Sequence, residues 1–175
     1  MKINKTNFKD LVIIDKSLFL DNRGYFYRDF CTKILKKLNF KIKQINFSFN
    51  KKKYTLRGFH FQKKPCEEDK IITCVKGEML NVSIDLRKNS KTFQKVYKVK
   101  LNEKNNKSIY VPKGFANAFL TLKNNTKIIY YMSEYYNPSK ADAIRYNDRY
   151  FNISWPHKPE VISKKDKSIK DYEPK

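Results

Sequence analysis

The chain has 175 residues, of which 40% are hydrophobic and 15% aromatic, and its formal net charge is +22. This length suits about one domain, which can bury roughly 70% of its unfolded surface, and the aromatic content excludes a largely disordered chain. The charge argues only weakly for nucleic-acid binding, because the lysines are scattered and few of the 39 basic residues are the arginines that suit phosphate and base contacts.

Cysteine usage and hydropathy indicate where the protein works. Cys31, Cys66 and Cys74 are odd in number and show no CxxC spacing, so they favour neither a disulfide framework nor a structural zinc site. The N-terminus never builds the apolar run of a signal peptide, and no apolar segment is long enough to cross a membrane. We expect a soluble, cytoplasmic protein with reduced thiols.

Short β-prone runs recur along the chain with turn residues between them. In chain order they are DLVII (10–14), GYFYRDF (24–30), QINFSF (44–49), YTLRGFHFQ (54–62), KIITCV (70–75), EMLNVSIDL (78–86), KVYKVKL (95–101), KSIYVP (107–112), NAFLTL (117–122) and KIIYYMS (127–133). Many short strands at this spacing, with glycines in turns such as VKGEM and VPKGF, predict a sandwich or a barrel.

The pattern predicts little helix. One helix is expected at Thr32 to Leu38, where Ile34, Leu35 and Leu38 fall at helical spacing. After Trp155 and Pro156 the chain turns polar, and residues 157–175 are expected to form a loosely held tail with a short helix. Because neither a linker nor an internal repeat is visible, residues 1–175 are predicted to form a single domain.

Three of the predicted strands carry uncharged or singly charged polar groups on one face. Counting every second residue, these faces hold Gln44, Asn46 and Ser48, then Gly58, His60 and Gln62, then Asn81, Ser83 and Asp85. The opposite faces are apolar. A surface strand of so lysine-rich a protein would carry lysine outward, so the pattern favours the lining of a polar pocket inside a small barrel. An ordinary solvated sheet face is the alternative.

His60 lies on one of these polar faces, three residues after Arg57. An imidazole titrates at about pH 6.5, so a histidine beside a cation can serve as a general base. A lone histidine is more often structural, so spacing alone favours a structural role and leaves the catalytic role as the alternative. The other histidine, His157, lies far along the chain, so a metal site with two or three histidines is not indicated.

Several enzyme classes lack their motifs in this chain. There is no GxSxG, no glycine-rich phosphate loop and no dinucleotide fingerprint, so acyl-transfer triads, P-loop chemistry and Rossmann redox chemistry have no support. The tyrosine-rich run IIYYMSEYYN (128–137) is ambiguous. Its tyrosines can pack in a core or an edge strand, and a tyrosine can also be the acid that partners a histidine base.

Taken together and in order, the motifs resemble the dTDP-4-dehydrorhamnose 3,5-epimerase family. They are DNRGYFYRDF, QINFSFN, LRGFHFQ, KIITCVKGE, SIDLRKNSKTFQ, VPKGFANAFLTL, IIYYMSEYYNPS, IRYNDRYFNISWP and SKKD, and they run from about Phe19 to Asp166. The resemblance implies an all-β fold, a cupin-type β jelly-roll barrel with a few short helices. It also implies a homodimer that needs no metal or organic cofactor, and a nucleotide diphosphate sugar as substrate rather than nucleic acid or a membrane.

The resemblance further implies roles for particular residues. The family's substrates are nucleotide-linked 6-deoxy-4-keto sugars, whose carbonyl acidifies the hydrogens on carbons 3 and 5. By match of motif, His60 would be the base and Tyr130 the acid, Lys70 would lie near the enolate oxygen, and Asp166 would orient the imidazole. The implied substrate-binding residues are Gln44, Asn46, Arg57, Lys165 and Arg23, of which Arg23 reaches across to the partner subunit.

Four positions depart from the family pattern. Asn117 stands in GFANAF where the family commonly has histidine, and Asn81 and Ala141 replace common acidic residues. Arg28 replaces an acidic residue near the nucleotide base, which changes both charge and donor pattern. Arg28 and Asn117 are therefore predicted to bind substrate with altered contacts, and we hypothesise a different substrate, such as a GDP-linked 4-keto hexose or heptose of capsule or lipopolysaccharide synthesis.

Other functions stay open at this stage. The missing histidine at position 117 leaves open inversion at carbon 3 alone, although Tyr130 favours inversion at both carbons. A ketoisomerase of the same fold would use similar proton chemistry but would move the carbonyl. A non-catalytic module that binds sugar or nucleic acid is the alternative from a different class.

Overall fold

The structure is a computed structural model that describes residues 1–173. Its strands are β1 Lys2–Lys5, β2 Val12–Asp15, β3 Phe19–Asp21, β4 Gly24–Phe26, β5 Gln44–Asn50, β6 Leu56–Gln62, β7 Lys70–Lys76, β8 Glu78–Asp85, β9 Val96–Asn102, β10 Lys107–Val111, β11 Phe115–Thr121, β12 Thr126–Met132 and β13 Ala141–Ala143. Its helical segments are α1 Thr32–Leu35, a 3₁₀ turn Lys36–Leu38 and α2 Lys164–Lys167. Among these described residues, no helix is long and apolar enough to cross a membrane.

The strands form two main antiparallel sheets. One sheet has the order β1-β2-β10-β7-β12-β5 and the other the order β13-β6-β11-β8-β9. Strands β3 and β4 form a separate hairpin that pairs Phe19 with Phe26, and we call residues 19–26 the arm. The expectation of an all-β cupin-type jelly roll with a few short helices is confirmed. Beyond the predicted strands, the structure adds the short strands β1, β3 and β13.

Apolar side chains pack in three layers. The central layer lies between the two sheets, because it combines Ile72 and Ile128 of the six-stranded sheet with Met79 and Phe119 of the five-stranded sheet. A second cluster packs β6, β8 and β11 against the C-terminal segment around Phe151. A third packs β2, β7 and β10 against α1. Both sheets are therefore covered on their outer faces over much of their area.

Alternation along the strands predicted the shared faces correctly, but one apolar face lies where we did not expect it. On β8, Asn81 and Ser83 are fully buried, while the alternate residues Val82 and Ile84 pack in the outer cluster. On β5, however, the apolar face formed by Ile45, Phe47 and Phe49 is exposed. The reason is that the cluster on the outer side of this sheet packs on β2, β7 and β10, whereas β5 is the last strand of the sheet, two strands beyond β7.

The C-terminal segment is held more firmly than the sequence predicts. Val161 bridges Thr55 beside β6, and the Tyr172 ring packs on Phe151 with centroids 5.0 Å apart. The Tyr172 backbone N–H donates to the Asp148 carboxylate at 2.5 Å. The prediction of a loosely held tail is thus wrong for residues 157–173, because backbone contacts at Val161 and Tyr172, together with the Tyr172 ring, anchor this segment. Its predicted short helix is present as α2, and residues 174–175 lie outside the described residues.

Candidate active site

A cavity of about 890 Å³ lies between the two sheets. Nearly all the residues that the sequence predicts for the site line it: Gln44, Asn46, Arg57, His60, Lys70, Asn117, Tyr130, Lys165 and Asp166. They come from β5, β6, β7, β11, β12 and the segment around α2. The exceptions are Arg23 and Arg28, which are exposed outside this cavity.

Close packing of two strands positions His60. On β6, His60 is paired with Asn117 of β11 on one side and with Ala143 of β13 on the other. Two residues earlier, Gly58 has φ +121°, and a Cβ there would lie 2.5 Å from the Cβ of Ala118. Only glycine permits this backbone conformation and this approach without strain.

The His60 imidazole contacts a buried carboxylate. Its Nε2 lies 2.7 Å from Oδ1 of Asp166, whose side chain is 5% exposed. Asp166 lies in the first turn of α2, where the N-cap Ser163 accepts a hydrogen bond from the Asp166 N–H at 3.0 Å. Burial alone would raise the pKa of Asp166, but hydrogen bonds from His60, Ser163 and the Gly58 backbone, together with the charge of His60, lower it below its usual value. The carboxylate is therefore ionised at neutral pH.

Tyr130 faces the cavity from the opposite sheet. It lies on β12, directly across from Asn46 of β5, so these two side chains share a face of the six-stranded sheet. Burial raises the pKa of the Tyr130 hydroxyl, although a hydrogen bond with Ser48 and the charge of Arg57 oppose the rise. The hydroxyl is consequently protonated at neutral pH and can donate a proton or a hydrogen bond.

Lys70 supplies a cation at the start of β7. Its Nζ donates to the backbone carbonyl of His60 at 3.1 Å and lies 3.0 Å from Oε1 of Glu68. An ammonium has three donors. These two contacts use two of them, so one N–H is available for an oxygen in the cavity.

Polar side chains of β5 and β6 complete the wall. Gln44 donates to Asn46 at 2.8 Å and accepts from the Tyr136 backbone N–H at 3.1 Å. Arg57 donates through Nε to Asn50 at 3.0 Å, which holds the stem while the two Nη groups stay available for an anionic ligand. This arrangement suits a polar, negatively charged substrate.

The predicted binding residue Asn117 is tied mainly to its own sheet. Its Nδ2 lies within hydrogen-bond distance of Oδ1 of Asn81 at 2.9 Å, Oγ of Ser83 at 2.9 Å and the Val82 carbonyl at 3.2 Å. Its Oδ1 accepts from Asn81 at 3.3 Å. One lone pair of Oδ1 is left for a substrate.

Arg23 and Arg28 lie on or beside the arm. The Arg23 side chain is 86% exposed and pairs with Asp21 of the same arm at 2.6 Å. Around it, Phe19, Leu20, Tyr25 and Phe26 are also exposed. The arm thus presents apolar and basic groups to its surroundings rather than to its own cavity.

Some cavity residues escaped the sequence analysis. Glu68, Tyr136 and Asp142 line the cavity beside the predicted residues. Glu68 is two residues before Lys70, but in CEEDK it looks like one more solvated charge. Tyr136 belongs to the tyrosine run that the sequence left ambiguous. Among residues 1–173, no group of three or more His, Cys, Asp and Glu side chains is arranged to hold a metal ion.

The geometry suits proton transfer at a carbon. A carboxylate-bound imidazole lies on one wall, a protonated phenol on the facing wall, and an ammonium group beside them. A substrate between the walls would meet a proton acceptor and a proton donor from opposite sides. The ammonium could stabilise negative charge that develops on an oxygen.

Comparisons with known proteins agree on one family. The family model described as dTDP-4-dehydrorhamnose 3,5-epimerase matches residues 5–173. The curated dTDP-4-dehydrorhamnose 3,5-epimerase of Shigella flexneri is 32% identical over 168 residues, which cover 95% of this chain and 93% of that protein.

Solved structures are similar over nearly the whole chain. The dTDP-4-dehydrorhamnose 3,5-epimerase of Bacillus anthracis str. Ames, with TDP and PPi bound, superposes with a TM-score of 0.94 at 35% identity and covers 98% of this chain and 99% of its own. The dTDP-6-deoxy-D-glucose-3,5-epimerase of Legionella pneumophila Philadelphia 1, in complex with dTDP-4-keto-L-rhamnose, gives a TM-score of 0.88 at 33% identity, covering 94% and 89%.

Proposed function

The chain belongs to the dTDP-4-dehydrorhamnose 3,5-epimerase family and is an isomerase of nucleotide-linked 4-keto sugars, and we propose that it inverts both carbon 3 and carbon 5 of its substrate. The observation that carries the proposal is the placement of His60 and Tyr130 on facing sheets of one cavity. Inversion by proton transfer needs a base on one side of the sugar ring and an acid on the other.

In the proposed reaction His60 takes a proton from carbon 3. The C–H electron pair forms a double bond to carbon 4, and the carbonyl π pair moves onto the oxygen, which becomes an enolate. Tyr130 then donates its phenolic proton to the opposite face of carbon 3 while the carbonyl reforms. Exchange of protons with solvent returns both side chains to their starting states, and the same steps at carbon 5 invert that centre.

Two charged residues support this reaction. Asp166 holds the imidazole through the 2.7 Å contact and stabilises the positive charge that His60 acquires with the proton. Lys70 directs its remaining N–H to the enolate oxygen, where negative charge is greatest. Both roles depend on charge that is present before the substrate arrives, so little reorganisation is needed.

We propose that two copies of the chain form a homodimer through the arm and the outer face of β5. Both present large apolar side chains to solvent, among them Leu20 and Phe26 on the arm and Phe47 on β5. Exposed apolar patches of this kind mark interaction sites. The arm would carry Arg23 and Arg28 into the cavity of the other copy, which explains why neither lines its own. Size-exclusion chromatography with light scattering tests the dimer.

Two observations bear on the nucleotide of the substrate. The relatives named above are dTDP-sugar enzymes, which favours dTDP, whereas the arginine at position 28 motivates the GDP hypothesis. Calorimetric titration of dTDP and GDP decides between them. We expect tighter binding of dTDP, and a clear preference for GDP would redirect the proposal to a GDP-linked hexose or heptose.

We also propose a domain organisation, a pathway class and a cellular location for the protein. The cavity draws on residues from Gln44 to Ile169, which supports a single domain over the chain. A nucleotide-sugar isomerase fits the synthesis of capsule or lipopolysaccharide sugars. We expect it to work in the cytoplasm, and localisation with a fluorescent fusion tests that expectation.

Deuterium incorporation tests the reaction itself. The protein is incubated in D₂O with freshly prepared dTDP- and GDP-linked 6-deoxy-4-keto sugars, and mass spectrometry and NMR locate the label. We expect deuterium at carbons 3 and 5 in an epimerised product. Label at carbon 3 alone would restrict the activity to one centre, and a product with a displaced carbonyl would identify a ketoisomerase.

The two histidines offer a matched pair of variants. His60→Ala should abolish exchange while the fold survives, because it removes the base. His157 stacks on Tyr54 and does not line the cavity, so His157→Ala should leave exchange unchanged. Near-wild-type exchange by folded His60→Ala would refute the assignment and favour a non-catalytic binding role.

A further inference from the structure

Glu68 is a buried carboxylate in the cavity wall with one oxygen unused. Its side chain is 5% exposed, and its Oε1 pairs with Lys70 Nζ at 3.0 Å. Its Oε2 is buried and has no hydrogen-bond partner anywhere in residues 1–173. A buried carboxylate oxygen is an acceptor that costs free energy when it is left unpaired. A hydrogen-bond donor of a bound ligand would pair with Oε2 and remove this cost.

The chemistry of a 4-keto sugar decides which hydrogen-bond donor a substrate can bring to Oε2 of Glu68. This step rests on the proposed function. If Lys70 meets the oxygen on carbon 4, the neighbouring ring carbons are within reach of Glu68. Carbon 5 carries a methyl group and the ring oxygen, neither of which donates. Carbon 3 carries a hydroxyl, which does. Oxygens on adjacent carbons lie about one hydrogen-bond length apart, so a substrate that places one of them on Lys70 brings the other close to the carboxylate that is paired with this lysine through Oε1.

We propose that Glu68 is a specificity-determining residue that accepts a hydrogen bond from the carbon 3 hydroxyl through Oε2. Lys70 and Glu68 then act as one unit, in which the lysine donates to the oxygen on carbon 4 and the glutamate accepts from the oxygen on carbon 3. A hydroxy-ketone is the chemical group that presents this acceptor and donor together.

The pair suits the reaction intermediate better than the substrate or the product. In the enolate formed at carbon 3, carbons 3 and 4 and both their oxygens lie in one plane. Before and after inversion the hydroxyl lies on opposite sides of that plane. An acceptor fixed within the plane contacts the hydroxyl best in the intermediate, so the contact lowers the barrier at carbon 3 instead of merely tightening binding.

The test compares exchange at the two carbons in Glu68→Gln. Glutamine keeps the shape and can still accept from Lys70 through its carbonyl oxygen, but its amide nitrogen cannot accept from a hydroxyl. We expect deuterium exchange at carbon 3 to fall about tenfold and exchange at carbon 5 to fall by less than about threefold. Glu67→Gln is the matched control, because it makes the same charge change one residue away and outside the cavity lining.

The ratio of the two rates separates this role from simpler ones. An equal fall at both carbons would mean that Glu68 acts only by holding Lys70, because both enolates share the oxygen on carbon 4, and would overturn the proposal. Unchanged exchange at both carbons would overturn it as well. Wild-type protein that exchanges neither carbon would refute the proposed function itself, which is a distinguishable result.

A second measurement uses wild-type protein, in case Glu68→Gln does not fold or carbon 5 does not exchange. The substrate is an analogue that lacks the carbon 3 hydroxyl but keeps exchangeable hydrogens there. For each compound, the rate of carbon 3 exchange with the protein is divided by the rate in buffer alone. This rate enhancement should be about tenfold lower for the analogue than for the full substrate. Equal rate enhancements would overturn the proposal.

Discussion

Replacing Asp166 by Asn removes one charge from beside the proposed base and keeps the size of the side chain. A hydrogen bond to a charged group contributes about 1.5–3 kcal/mol. Because the His60 side chain is 49% exposed, solvent weakens the interaction, and we take the lower part of that range, about 1.5–2 kcal/mol. Every 1.36 kcal/mol in a barrier is a factor of about ten, so kcat should fall about ten- to thirtyfold.

The Michaelis constant of Asp166→Asn should change little, since Asp166 acts on the imidazole as it gains a proton rather than on the bound substrate. Initial rates of deuterium incorporation at several substrate concentrations give both constants. The control is Asp171→Asn, which makes the same change on the surface, where Asp171 pairs with Arg145 at 3.4 Å. A folded Asp166→Asn protein whose kcat stays within about twofold of wild type would refute the reasoning.

Three further predictions concern the proposed acid Tyr130, the pH dependence of stability, and the packing at Gly58. Tyr130→Phe should impair inversion more than proton exchange, because exchange needs only the base; equal losses in NMR assays of both would argue against its role as the acid. Since the pKa of Asp166 is lowered by folding, its contribution to stability should be complete above its ordinary value of 3.8 and disappear as pH falls through the lower folded value. Urea unfolding of wild type and Asp166→Asn from pH 7 to pH 3 should therefore show a converging difference, and a widening one would contradict this sign. Gly58→Ala should lower the free energy of unfolding by about 2–4 kcal/mol in the same assay. The control is Gly24→Ala, which should cost about 1 kcal/mol, because Gly24 has φ +127° but no atom lies within 4 Å of the added Cβ. Equal costs would show that the contact with Ala118 does not matter.

Alternation along the chain predicted which side chains share a face, but not what covers that face. On β8 the alternation was enough to predict a covered apolar face, because Val82 and Ile84 pack against the C-terminal segment. On β5 the same pattern leaves Phe47 exposed, because strand order in the sheet determines what lies next to it, and strand order is a property of the whole chain. Local periodicity carries no information about such long-range pairings.

The residues that line the cavity could be predicted from motifs that match the family, but not from the local sequence pattern alone. His60, Lys70 and Tyr130 lie in strands whose polar or aromatic character is visible in the sequence. Nothing in the local pattern links His60 to Asp166, which is 106 residues away. Glu68 was missed because its burial and its unpaired oxygen appear only when the neighbouring strands have packed around it.

The distance along the chain between His60 and Asp166 also affects how activity is acquired during synthesis. The strands of both sheets precede α2 in the sequence, so the jelly roll can assemble on the ribosome before the carboxylate emerges. Val161 must then settle beside Thr55 to bring α2 to the cavity. A nascent chain that has not yet placed α2 therefore has an imidazole without its carboxylate and a cavity without the wall that the segment around α2 supplies.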